Sequence, residues 1–201
     1  MNIRGYCLSK VNGPGLRFVL WTQGCSKGCK NCFNPETWSF EKYKSLTPLE
    51  IFELIKNSNV SGVTITGGDP LEQPEELLEL LVLLEGLNLS NGIILFTGYT
   101  IDEINKDFLL RKSLNYIDVL IDGRFEKDQR ISSSLRGSEN QNIIYFSSKI
   151  KEEELNIDQE VEVGIFDNEM YVTGFPSISR KVLKSLGIRV VGYLFFSYRE
   201  K

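Results

Sequence analysis

Histidine is missing from all 201 positions. Without imidazole there is no Ser/His nucleophile pair, and a zinc site of the mixed Cys/His kind has lost one of its ligand types. No paired-carboxylate machinery is evident either. A basic excess is also missing: 23 Lys and Arg stand against 27 Asp and Glu, a formal charge of -4, which argues against general nucleic-acid binding. No segment holds about 18 consecutive apolar residues, the length a membrane-crossing helix needs. The start, Met1-Asn2-Ile3-Arg4-Gly5-Tyr6-Cys7-Leu8, lacks the apolar stretch of a signal peptide. These absences predict a cytoplasmic protein with no membrane partner. Low-complexity tracts are lacking, and Lys151-Glu152-Glu153-Glu154 reads as a solvated helix or loop face. What remains is 41% hydrophobic with only six prolines, enough for one good core, and the length favours a single domain over 1–201.

Cysteine is scarce, but three of the four fall in one run, Gly24-Cys25-Ser26-Lys27-Gly28-Cys29-Lys30-Asn31-Cys32-Phe33-Asn34. An electron-transfer cubane of iron and sulfur is ordinarily held by four thiolates, so the trio Cys25, Cys29 and Cys32 would leave one iron open to another ligand. Three other readings compete. Zinc would need the distant Cys7 to complete its coordination. A disulfide framework suits a short secreted chain, which this N-terminus does not announce. Spacings of four and three would align three buried thiols on one helix face, yet Gly24, Gly28 and Asn31 make a poor helix. The iron-sulfur reading is preferred, and it carries an expectation of oxygen sensitivity. Cys7 reads as a packed thiol rather than a ligand.

Strands alternate with helices along the chain. Leu16 to Trp21 is an apolar run ending at the cysteine loop. Thr47-Pro48-Leu49-Glu50 is a capping box with proline at the first helical position, starting a helix through about Asn57. A strand over Gly62 to Thr66 precedes Gly67-Gly68-Asp69-Pro70 and a leucine-rich helix from Pro74 to about Glu85, stopped by Gly86. Ile93 to Phe96 is the next strand, and Thr100 with Glu103 caps a helix from Ile101 to Leu110. Tyr116 to Ile121 is a further strand, ending in Asp122-Gly123-Arg124-Phe125-Glu126. Such alternation predicts a parallel sheet with the polar and glycine-rich loops converging at the carboxyl ends of the strands. At 201 residues the chain is short of the ~250 of a closed eightfold barrel, so the expected fold is α/β, a partial open parallel β/α barrel of roughly six strands.

Cys25-x-x-x-Cys29-x-x-Cys32 after one strand and Gly67-Gly68-Asp69-Pro70 after the next resemble the radical S-adenosylmethionine (SAM) superfamily. Within it, Gly13-Pro14-Gly15, Trp21-Thr22-Gln23-Gly24-Cys25, Asn34-Pro35-Glu36-Thr37-Trp38, Thr97-Gly98-Tyr99-Thr100, Asp122-Gly123-Arg124-Phe125 and Arg136-Gly137-Ser138-x-Asn140-Gln141 are similar to the activating proteins of anaerobic ribonucleotide reductases, over about residues 5 to 146. The resemblance implies a 4Fe-4S cluster on Cys25, Cys29 and Cys32 and a SAM molecule chelated by the open iron. One electron from the reduced cluster would then cleave the sulfonium to methionine and a 5′-deoxyadenosyl radical. It further implies a glycyl radical enzyme, an anaerobic ribonucleotide reductase, as partner, and a flavodoxin- or ferredoxin-like electron donor. No side chain beyond the cluster ligands is expected to be catalytic, because the hard chemistry belongs to the cofactors.

The SAM contacts implied are Gly67 and Gly68, whose bare backbone could approach the methionine amine, with Asp69 adding an acceptor or holding the turn. Thr97 would reach the ribose or form the turn with Gly98. Asp122 and Arg124 sit where related activases place polar residues near SAM, with surface ion pairing as the competing account. Arg136 would grip a carboxylate or order its loop through a salt bridge. Phe33, Asn34 and Trp38 would shield the cluster or contact the adenosine moiety, with packing of the loop as the other reading of Trp38, and Asn31 stands where many superfamily members carry an adenine-stacking aromatic. Lys27 and Lys30 would attract an acidic donor. The core βα units with both motifs occupy 1–150. Beyond the resemblance, 151–201 reads as an extension of the same domain: a hairpin over Glu160 to Gly174, a helix from Ser177 to about Ser185, and a strand from Ile188 to Phe196. That extension leaves room for a radical SAM enzyme modifying a small molecule or peptide, and an electron carrier without turnover is the alternative of another class.

Overall fold

The computed structural model describes residues 1–156, 158–166, 169–174 and 196–197. Among these, a seven-stranded sheet forms the frame, from β1 (Asn2–Ser9), β2 (Arg17–Thr22), β3 (Lys44–Ser45), β4 (Gly62–Gly67), β5 (Ile93–Phe96), β6 (Val119–Asp122) and β7 (Asn142–Tyr145), in the order β3-β1-β2-β4-β5-β6-β7. Only β2, β4, β5 and β6 are mutually parallel. β1 pairs antiparallel with both β2 and β3, and β7 pairs antiparallel with β6. The expectation of six parallel strands is therefore corrected to four. The cause is connection type: β1 reaches β2 through a short glycine-containing turn and β7 follows β6 through an irregular segment, and neither link contains the α-helix of a parallel crossover.

Helices α1 (Pro48–Lys56), α2 (Pro74–Leu84), α3 (Ile101–Ile104) and α4 (Phe108–Ser113) supply the crossovers. Thr47 and Thr100 each form the full reciprocal capping box with Glu50 and Glu103. The single helix expected over Ile101 to Leu110 is two, because Asp107 accepts from the amides of Leu109 and Leu110 and opens a new N-terminus. The strand expected from Tyr116 starts at Val119, with a 3-10 turn over Leu114–Tyr116 before it.

Period-two alternation divides the parallel strands cleanly. Phe18, Leu20, Ile65, Leu95 and Leu120 form one core with Ile51, Ile55, Leu77, Leu80 and Leu110 of the helices. The opposite face carries Ile94, Val119 and Ile121 against Leu135, Ile150 and Leu155, and beside them Cys7, Val19 and Trp21. The helices thus cover one face, and irregular segments leave a recess on the other.

A second sheet contains β8 (Val161–Phe166) and β9 (Glu169–Gly174), antiparallel, with β10 (Phe196–Ser197) beside β9. This matches the expected hairpin. The helix expected from Ser177 and most of the strand expected from Ile188 lie outside the described residues. No helix among the described residues is long and apolar enough to cross a membrane.

Candidate functional site

β2 ends at Thr22, and the cysteine loop begins two residues later at the carboxyl end of the sheet. Gly24 takes φ +108° and Gly28 φ +59°, and Asn31 also adopts positive φ, so the run turns repeatedly instead of continuing as helix. The loop is tied at its start by Gly24 N donating to Thr37 O (2.8 Å) and Cys25 N donating to Trp38 O (3.1 Å). It is tied within by Cys32 N donating to Cys29 O (3.0 Å). All three thiols are free and partly exposed, whereas Cys7 is free and buried.

Burial pushes the Cys25 thiol up to about 11 and the Cys32 thiol upward as well. Amides oppose this: Lys27 N points at Cys25 Sγ (3.4 Å) and Asn34 N at Cys32 Sγ (3.3 Å). The Trp38 side chain also donates to the Cys32 sulfur, which gives this indole a contact beyond loop packing. N–H groups aimed at two of the three sulfurs favour the thiolate form, the form in which cysteine binds a metal. Among the described residues no three Cys, Asp or Glu side chains converge tightly enough on one metal ion. A cubane takes each thiolate on a different iron, so its ligands are spread more widely than those of a single ion. Cys7 is pushed up to about 12 by burial and then by Glu162, and it packs with Val19 and Trp21 as expected of a core thiol.

Gly67 and Gly68 sit where β4 meets this loop. A Cβ on Gly67, at φ +110°, would strike the main chain of Thr22, and one on Gly68 would overlap Gly24 O and lie 2.8 Å from Thr37 O. Side chains are excluded here by the end of β2 at Gly67 and by the start of the cysteine loop at Gly68. Gly68 N donates to Thr22 O and Asp69 N to Gly24 O, both 2.9 Å, completing the seam.

Asp69 is fully buried, and its carboxylate accepts from Thr97 Oγ1 (2.8 and 3.0 Å), Gly98 N (2.8 Å) and Leu71 N (3.1 Å). Burial raises its pKa to about 6 against the lowering effect of those donors. Asp69 and Thr97 therefore clasp the loop after β5 to the loop after β4. Asp122 is buried and accepts from Ile101 N (2.7 Å) and from Asn142 Nδ2 (2.8 Å), bridging α3 to β7. Arg124 makes a bidentate pair with Glu103 (2.8 and 2.9 Å) at the surface. Arg136 donates to the carbonyls of Glu139 (3.0 Å) and Gln141 (2.7 Å), so loop ordering comes from main-chain acceptors in place of the expected salt bridge.

Sequence reasoning missed a latch beside the cysteines. Glu72 accepts from the Ser26 hydroxyl, lies 3.5 Å from Lys27 Nζ and takes the Tyr99 hydroxyl at 3.3 Å, while Lys27 Nζ stands 3.2 Å above the Tyr99 ring. Lys27 is thus paired and only 10% exposed along its side chain, which corrects its expected role as a free steering charge; Lys30 stays exposed. The position of Tyr99 within Thr97-Gly98-Tyr99-Thr100 was the available signal. Also missed was Gln141, whose Oε1 accepts from Gly137 N (2.9 Å) while its Nε2 donates to Gly123 O (2.8 Å).

The recess on the helix-free face is a cavity of about 110 Å³. Trp21, Thr66 and Phe96 reach it from β2, β4 and β5, Phe33 and Asn34 from the cysteine loop, and Phe125 from beyond β6. Phe33 and Phe125 contact one another at 4.6 Å between ring centroids.

A loop of three thiols at the carboxyl ends of parallel strands, beside an aromatic cavity, defines an iron-sulfur α/β protein. In agreement, residues 11–144 match the family described as a 4Fe-4S single cluster domain. The anaerobic ribonucleoside-triphosphate reductase-activating protein of Pasteurella multocida is 37% identical over 154 residues, which are 72% of this chain and 97% of that one. The protein of the same name from Enterobacteria phage T4 is 36% identical, covering 70% of this chain and 90% of its own, and that of Escherichia coli K12 is 32% identical, covering 68% and 92%. The chain belongs to the family of anaerobic ribonucleoside-triphosphate reductase-activating proteins.

Proposed function

We propose that this chain activates an anaerobic ribonucleotide reductase by installing a glycyl radical on it. The observation that carries the reading is the Cys25, Cys29, Cys32 loop, seated on Gly67 and Gly68 at the carboxyl ends of the parallel strands. Bound on those thiolates, a 4Fe-4S cluster would supply the electron that cleaves SAM and so provide the radical that takes hydrogen from the partner's glycine. The chain's own residues hold and shield. Lys27 N, Asn34 N and Trp38 stabilise the thiolate form of Cys25 and Cys32 by hydrogen bonding. Gly67 and Gly68 set the distance between the β4 end and the cysteine loop, and their main chain with Arg124 is offered to SAM. Asp69, Thr97 and Asp122 serve the same site at one remove by fixing its loops.

The finer architecture belongs with this reading: an open, partial β/α barrel formed by one domain, working in the cytoplasm. Exposed Lys30 suits an acidic flavodoxin- or ferredoxin-like donor. Anaerobic reconstitution with SAM, dithionite and the cognate reductase should give 5′-deoxyadenosine and a glycyl signal in electron paramagnetic resonance. Release of 5′-deoxyadenosine with no such signal would favour a radical enzyme acting on a small molecule or peptide. Neither product would leave an electron carrier.

A further inference from the structure

The hairpin β8–β9 lies beyond residue 144, where the family match ends, yet it reaches the cavity. Thr173 and Gly174 form part of the cavity lining, together with Phe33 and Asn34 of the cysteine loop. Thr173 is 1% exposed, and its Oγ1 accepts from Asn12 Nδ2 at 2.7 Å. Glu162, the cross-strand partner of Thr173, accepts from Ser9 Oγ (2.8 Å) and Lys10 N (2.9 Å). Asn12 also donates to Ser9 Oγ (2.8 Å), so the end of β1 and the turn after it grip both hairpin strands through one connected, partly buried polar network. Directly opposed residues of an antiparallel pair share a face, which is why Glu162 and Thr173 can hold the same turn.

Polar side chains share the cavity lining with the aromatic rings: Asn12, Asn34, Thr66, Gln141 and Thr173. Thr173, its oxygen already accepting from Asn12, keeps a hydroxyl proton to give. A hydroxyl donor between aromatic walls suits the C=O of a peptide group, and the small volume suits a residue without a side chain.

We propose that the hairpin β8–β9 is a specificity-determining wall of this cavity, with Thr173 the positioning residue for the glycine-bearing main chain that enters it. This rests on the activase reading. Partner choice is then written in part outside the region shared with the family.

Two measurements test it on the full chain. The first needs no cofactor: in a Trp38→Phe background, acrylamide quenching reports Trp21 alone among the chain's two tryptophans. Glu162→Ala should raise the quenching constant about twofold by loosening the wall, and Glu162→Gln, which keeps an acceptor, should stay near the parent. Equal quenching in all three overturns the wall, whether or not the protein proves to be an activase. The second uses cluster-loaded protein and the cognate reductase. Thr173→Val should raise the reductase concentration for half-maximal radical formation about fivefold while the maximal yield stays within twofold, and Thr173→Ser should restore the parent value. An unshifted half-saturation, or a loss of yield alone, overturns the positioning role. A parent protein that forms no radical at all refutes the activase reading, and the quenching result then decides the wall by itself.

Discussion

Asp69 concentrates three buried donors on one carboxylate, and its removal would orphan all of them. Asp69→Ala leaves the Thr97 hydroxyl and the Gly98 and Leu71 amides without their acceptor. At about 1–3 kcal/mol for a buried group left unsatisfied, a loss of roughly 3 kcal/mol is expected, measured by urea unfolding of the metal-free chain. Glu103 behaves differently because it is at the surface. The Arg124 side chain and then the Thr100 amide hold its carboxyl down at about 2. The folded value lies below the unfolded one of ~4.3, so the stabilisation is present above about pH 4.3 and is lost as the pH falls toward 2. Solvent screening keeps it small, within about 1 kcal/mol. Glu103→Gln should therefore be slightly less stable than the parent at pH 7 and indistinguishable from it near pH 2 in parallel urea titrations.

The paired loops after β2 and β4 act as one piece, because Gly68 has no room for even a methyl group. Gly68→Ala would push against Gly24 O and Thr37 O, both main-chain atoms that cannot swing aside. The cysteine loop must then lift from the strand end. Iron content after anaerobic reconstitution should fall to less than half of the parent value, while circular dichroism retains the helices α1 and α2, which do not touch the seam. The pattern Gly67-Gly68-Asp69 was legible as a motif in the sequence, and so were the cysteine trio, both capping boxes and the strand Ile93 to Phe96, since each depends on neighbours a few residues away. The antiparallel strands β1 and β7 were not legible, because their pairing is decided by partners far along the chain, and neither carries a turn signal of the two-residue hairpin kind. The break between α3 and α4 depended on Asp107 preferring a cap to a helix interior, a choice local sequence leaves open. The Glu72, Lys27 and Tyr99 latch joins three separate loops, and Thr173 meets Asn12 across most of the chain. Such contacts follow from topology rather than from spacing.

Function and stability are set at opposite ends of the same strands. The carboxyl ends carry the glycines, the cysteine loop and the cavity, all open or strained in backbone. The amino ends carry Arg17, which is fully buried and uses all five of its N–H groups. Its guanidinium donates to Thr64 Oγ1 (2.7 Å), Pro14 O (3.1 Å), Asn91 O (2.8 Å), Val63 O (2.6 Å) and Gly92 O (2.9 Å). Burial lowers its pKa to about 9, with Asp118 opposing the shift, so it stays charged at neutral pH. This one side chain ties the turn before β2 to the β4 strand and to the residues entering β5. Arg17→Met would take a donor from four main-chain carbonyls, of which Gly92 O keeps the Val63 amide. A loss of about 3–5 kcal/mol follows, a large share of the roughly 5–15 kcal/mol that holds an ordinary domain together. Thr64 also donates to Asn12 O (2.7 Å), and Asn12 in turn holds Thr173, so the same change should loosen the hairpin. Urea unfolding of Arg17→Met should shift to a much lower midpoint. Below that midpoint, Trp21 quenching should rise while iron incorporation per folded molecule stays near the parent value, because the cysteine loop is fastened at the other end by Gly67, Gly68 and Asp69. Equal losses of stability and of iron per folded molecule would show that the two ends are not independent.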